Sequence, residues 1–180
     1  MMVRFAEIPP DSLFGRYVET GAYTDCYVTE LPITVTHAQF VEAFYTTALF
    51  KLERLLLGLF LSRPSTDAQA RQLAEGRLSS FAAWSVESRA ENQLVLAAGR
   101  TRSWLMVAAG DGADHSGTRL FFGSAIVPPR TASGTRGGMG LVFTALLGFH
   151  KLYSRALLSS ARARLLGNIN RGAHAHGHDA

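Results

Sequence analysis

The hydrophobic period of this chain changes twice, and those changes restrict the possible folds more than any single motif does. The apolar residues Phe40, Val41, Phe44, Ala48, Leu52, Leu55, Leu56 and Leu59 recur at spacings of three and four, which sets them on one face of a helix. Beyond Gly76 the pattern becomes extended over Phe81 to Arg89, Gln93 to Ala98, Arg102 to Ala109 and Thr118 to Val127, with turn residues at Glu91-Asn92, Gly99 and Gly110 to Gly117. From about Met139 to Leu166 the helical spacing returns, with Val142, Leu146, Phe149, Tyr153, Ala156 and Ser160 in one stripe. Helix, an antiparallel run of strands and a long closing helix are therefore expected.

The first third of the chain adds detail. Tyr23 to Leu31 is rich in β-branched and aromatic residues and stops at Pro32, as a strand does. Thr36 can cap the helix that follows, which the apolar spacing carries to about Leu61. Ser65 or Thr66 can cap a shorter helix from about Asp67 to Glu75, closed by Gly76. The expected class is α+β, in the order β-α-α-β-β-β-β-α. Residues 1–21 read as an irregular lead-in, 22–167 as one domain, and 168–180 as a flexible tail carrying His174, His176 and His178. Gly123 inside a strand predicts a bulge or bend, and Pro128 to Gly138 a mobile connection or lid.

Composition bounds function by exclusion. At 180 residues with 47% hydrophobic content the chain suits a single domain with a substantial core. A single cysteine, Cys26, forbids an intrachain disulfide and offers no cysteine cluster for zinc, so no metal is expected. The residues after Met1 lack the apolar run of a secretory leader, which favours a cytoplasmic location. The most apolar stretches are about half the roughly 20 residues of a membrane-spanning helix. A formal charge of +4 is small, and without a nucleic-acid motif it predicts no nucleic-acid partner. The tail histidines alternate in a way that can catch a metal, but they are also an ordinary polar tail. Gly137-Gly138-Met139-Gly140 precedes a helix without a P-loop lysine, a weak phosphate signal.

The phrases Glu87-Ser-Arg89, Asn92-Gln-Leu-Val, Gly99-Arg-Thr-Arg-Ser-Trp104, Phe122-Gly-Ser-Ala125 and Leu147-Gly-Phe-His150 with Tyr153 resemble an uncharacterised bacterial domain family of the START and polyketide-cyclase-like (SRPBCC) superfamily. The resemblance covers roughly Ala22 to Leu166. It implies a helix-grip fold, a curved antiparallel sheet wrapped around the last helix. It implies no catalytic residue, and with no dinucleotide-binding stretch in the chain no cofactor is expected.

Two groups of residues carry candidate chemistry. In a cavity, Arg89 or Arg102 can clamp a ligand carboxylate by a forked hydrogen bond, with Glu87 orienting the guanidinium; strict alternation sets Glu87 and Arg89 on one strand face. The bland alternative is an ion-pair ladder in solvent. His150 and Tyr153 are neighbours on the last helix, where His150 can act as acid or base; a packed histidine is the bland alternative. The function expected is binding of a small apolar or lipid-like molecule between sheet and last helix, in a pocket lined by Phe81, Trp104, Met106, Phe122, Phe149 and Tyr153, with Arg89 or Arg102 meeting an acidic end. Two other classes stay open: a cyclase, hydrolase or isomerase using His150 or Glu87, and a non-catalytic partner domain or homodimer.

Overall fold

The computed structural model describes residues 2–52, 54, 64–110, 116–128 and 141–175, the stretches 141–149 and 169–175 as backbone alone. Among the described residues there are seven strands: β1 Arg4–Phe5, β2 Tyr23–Leu31, β3 Ser80–Phe81, β4 Trp84–Ala90, β5 Gln93–Ala98, β6 Thr101–Ala109 and β7 Thr118–Ile126. They form one open antiparallel sheet in the order β1-β2-β7-β6-β5-β4-β3. The helices are α1 Gly15–Glu19, α2 His37–Tyr45, α3 Asp67–Ala74 and α4 Leu141–Ala175. No helix among the described residues is long and apolar enough to cross a membrane.

The α+β class and the run of consecutive antiparallel strands agree with the sequence pattern, but the order β-α-α-β-β-β-β-α is incomplete. The strands β1 and β3 have two residues each, too few for alternation to show, and α1 is a single short turn-rich helix inside the expected lead-in. The first long helix also stops early. Thr46 and Thr47 return their hydroxyls to the carbonyls of Glu42 and Phe44, and Thr47 Oγ1 then accepts from the N–H of Phe50. These local bonds end α2 and start a new helical turn at 48–52, although the apolar spacing runs through the break. The expected extension to Leu61 lies outside the described residues. At the other end, Gly167 does not terminate α4. One glycine costs a helix only about 1 kcal/mol, and Arg162 fastens the segment by donating to the carbonyl of Glu30 at 3.0 Å.

Both faces of the sheet are covered. On one, α2, α3 and α4 enclose the larger core, which includes Tyr27, Leu31, Phe40, Phe44, Leu73, Leu94, Leu105, Leu120, Phe122 and Leu158. On the other, the lead-in packs Phe14 and Tyr17 over Cys26, Val28, Val95, Trp104, Met106 and Phe121. Phe14 stacks on Trp104 with ring centroids 5.3 Å apart, and Gln93 Oε1 accepts from both the Trp104 indole and the backbone N–H of Leu13. Residues 6–22 therefore build a layer over the same sheet that β1 extends.

Gly123 acts differently from the expected bulge. Its strand pairs without interruption on both sides, and a Cβ there would fall 2.9 Å from Trp104 and 3.1 Å from Phe14. It makes room for two stacked rings. The bulge lies instead between Val86 and Ser88 of β4.

Candidate functional site

Polar groups converge where α4 lies on β2 and β7. Because these strands pair in continuous register, Asp25 stands opposite Ser124 and Tyr27 opposite Phe122, and β6 extends the two rungs with Ser103 and Leu105. Tyr27, Phe122 and Leu105 belong to the helix-side core, so alternation sends Asp25, Ser124 and Ser103 to that side as well. One rung is bulky and apolar; the next is short and polar. The helix repeats the change, with Leu157, Leu158 and Ala161 in the apolar core and His150 and Ser154 over the polar rung.

Asp25 is 2% exposed. Its Oδ1 accepts twice from Ser124, from Oγ at 2.5 Å and from the backbone N–H at 3.2 Å. His150 Nε2 lies 2.6 Å from the same Oγ, 3.5 Å from Ser154 Oγ and 3.6 Å from Asp25 Oδ2. The His150 side chain is 34% exposed, so it alone of the trio reaches outward. Among the described residues no arginine or lysine pairs with Asp25. That matters because an ion taken out of water costs several kcal/mol unless partners compensate.

The surrounding groups respond to this buried charge. The Tyr23 and Tyr27 phenols are pushed up to about 12, first by burial and next by the Asp25 charge, and both remain proton donors at neutral pH. Burial, with Asp25 second, pushes the Cys26 thiol up to about 12, which leaves it an unreactive core residue. Ser124 is not arranged as a nucleophile, since it is 3% exposed and its proton points at a carboxylate.

The residues singled out from sequence do not meet in one place. Phe81, Phe122 and Tyr153 belong to the helix-side core, whereas Trp104 and Met106 are buried under the lead-in; these five cannot line a single pocket. Phe149 lies on α4, and its side chain is outside the described ones. The bulge in β4 overturns the expected pairing of Glu87 with Arg89. Glu87 faces the lead-in, where Arg16, Tyr17 and Arg102 hold its carboxylate. Arg89 faces the helices and donates to the carbonyl of Leu73 at 2.7 Å, near the negative end of α3. Arg102 also donates to the carbonyls of Gly99 and Thr101. Neither arginine joins the described polar groups beside α4. Of the two acid–base candidates, His150 joins the Asp25–Ser124 cluster and Glu87 the ion pairs on the opposite face.

Asp25 and Ser124 escaped sequence reasoning, though a signal existed for Asp25. It is the one carboxylate in Tyr23-Thr-Asp-Cys-Tyr27, on the same alternating face as Tyr27 and Leu31. The tail residues His176 and His178, and the connection at 129–138, lie outside the described residues; His174 is on the backbone of α4. A cleft of about 500 Å³ at the β4–β5 end of the sheet is lined by Ala82, Ala83, Trp84, Ala97, Ala98 and neighbouring residues. No protein-family model, curated protein or solved structure matches this chain.

Proposed function

We propose that this domain is a helix-grip binding module that holds a small apolar or amphipathic molecule between the sheet and α4, with the ligand's polar end at His150. The observation that carries this is the step from the Tyr27–Phe122–Leu105 rung to the Asp25–Ser124–Ser103 rung. Shorter side chains lower the floor beneath the helix just where a buried carboxylate and a half-exposed imidazole meet. Ligand sites combine an apolar surround with a few convergent polar groups in this way. Native mass spectrometry of protein purified without organic solvent is expected to show a bound small molecule, or saturable uptake of the neutral fluorophore N-phenyl-1-naphthylamine. Ser103→Phe, which refills the floor, is expected to abolish uptake while the circular dichroism spectrum is kept. A folded protein that takes up nothing sinks the proposal.

The trio favours one second reading, a proton-transfer enzyme of the cyclase, hydrolase or isomerase kind with His150 as acid or base. Glu87 takes no part in it, being ion-paired on the opposite face.

A further inference from the structure

Among the described residues Met2, Phe5, Val18, Leu52 and Leu152 are large apolar side chains more than half exposed. Single exposed ones are ordinary. Val18 is on α1, and Leu52 lies near Phe50, which packs on Phe81 and Trp84 at the far edge of the sheet. Phe5 and Leu152 instead come together. β1 is the edge strand beside β2, and its Phe5, 62% exposed, stands edge-on to Tyr27 with ring centroids 6.1 Å apart. Arg155 covers the same ring, its guanidinium carbon 5.7 Å from the centroid. The helix runs alongside β2 in the same sense: His150 lies near Asp25, Arg155 over Tyr27, and Arg162 against the carbonyl of Glu30. Leu152, 68% exposed, falls between the first two contacts and is level with Phe5. Charge accumulates at this edge. The α4 sequence carries Lys151, Arg155, Arg162, Arg164 and Arg171 and no Asp or Glu. Lys151 and Arg155 are exposed and, at helical spacing, share the side of α4 that bears Leu152. From β1 comes Arg4, 58% exposed at its side chain and bonded to Glu30 at 3.1 Å. The acids on the same stretches of β1 and β2 rim are Glu7 and Glu30, and Arg4 already neutralises the second.

We infer that the β1–α4 edge is a docking surface for an anionic lipid bilayer, with Phe5 and Leu152 entering the boundary between headgroups and acyl chains and Lys151 and Arg155 meeting lipid phosphates. A bilayer interface takes exposed apolar groups and cations side by side, and each cation near an anionic leaflet adds binding that salt screens. The complementarity of charge favours this occupant over a second copy of the chain. A two-fold contact joins the same patch on both subunits, which would set Lys151 and Arg155 against their own counterparts. Nucleic acid would satisfy the cations but offers no apolar medium for Leu152. The surface lies outside the interior between sheet and α4, so it stands whether or not that interior takes a guest.

Flotation of the full chain with vesicles of phosphatidylglycerol and phosphatidylcholine in equal parts tests it. The protein is expected to float with these vesicles at low salt, and to partition at least tenfold less onto pure phosphatidylcholine or at high salt. Phe5→Ser combined with Leu152→Ser is expected to cut partitioning at least tenfold, and Arg155→Gln about fivefold. Leu52→Ser, equally apolar and exposed but at the far edge, is expected to change nothing. Because these side chains are exposed, urea unfolding of each variant is expected to match that of the parent. Leu152→Trp gives a reading that removes no contact: its emission is expected to shift to the blue when the mixed vesicles are added. No partitioning onto the mixed vesicles, partitioning that the double variant retains, or equal partitioning onto pure phosphatidylcholine overturns the inference. So does protein that ignores vesicles but captures single-stranded DNA, or self-associates by light scattering, through the same residues.

Discussion

The two faces of the sheet each hold a carboxylate against polar partners, and they treat it oppositely. On the lead-in face, Glu87 is surrounded by the guanidinium groups of Arg16 and Arg102 and by the Tyr17 hydroxyl. The one carboxylate there is shared by two guanidinium groups, and the result is a fastening between α1 and strands β4 and β6. On the helix face, Asp25 is far more deeply buried, yet it has two hydroxyls, one backbone N–H and an imidazole, with no described arginine or lysine paired to it. One carboxylate is held by cations and fastens two layers; the other is held by polar groups and an imidazole, with no described arginine or lysine beside it.

The largest expected effect tests whether the lead-in face is a true core. Trp104 is fully buried beneath Phe14, and Trp104→Ala is expected to destabilise the protein by about 3–5 kcal/mol in urea unfolding. A change below about 1 kcal/mol would mean that the lead-in is a loose cover.

Acid should separate the faces next. His37, buried on the helix side with Nε2 against the carbonyl of Leu105 at 3.3 Å, is pushed down to about 4 by burial. Its folded-state value lies below the unfolded reference of about 6.5, so the unfolded chain binds the extra proton first. Stability is then complete above about pH 6.5 and falls as the pH drops toward 4, by up to about 1.4 kcal/mol per unit. His37→Gln is expected to flatten that slope, and hydrogen exchange should show α2 loosening before the lead-in. An unchanged slope in the variant breaks the assignment.

The smallest effect belongs to the fastening. Glu87→Gln removes a charge that is 26% exposed and leaves Arg102 unpaired, a loss of about 1–2 kcal/mol. Its clearest signature is faster proteolysis within residues 6–22, with ligand uptake unchanged.

Particular residues explain how far the sequence could be read. The limits of β2 were legible because Pro32 stops a run of β-branched and aromatic residues; the cap of α3 was legible only as Ser65 or Thr66, and the structure selects Thr66, with Gln69 completing a reciprocal pair. The bulge at Glu87 was not, since alternation assumes one residue per step and a surplus residue looks like any other. Thr46 and Thr47 hid in the same way, because helical spacing of apolar residues survives a break that local hydroxyl bonds impose. The site itself was the least legible part. Asp25 and Ser124 meet only through a register between strands separated by most of the chain, and no local pattern encodes that register.

The layer formed by residues 6–22 has a consequence for synthesis. Its stacking partner Trp104, and β7, which pairs with β2, emerge from the ribosome long after it does. A segment made early is thus among the last to find its place, and until then Phe14, Tyr17 and β2 must be kept from straying onto other chains. Assembly of this sheet waits on segments far apart in sequence meeting, which ties its folding rate to long-range closure more than to how quickly any helix forms.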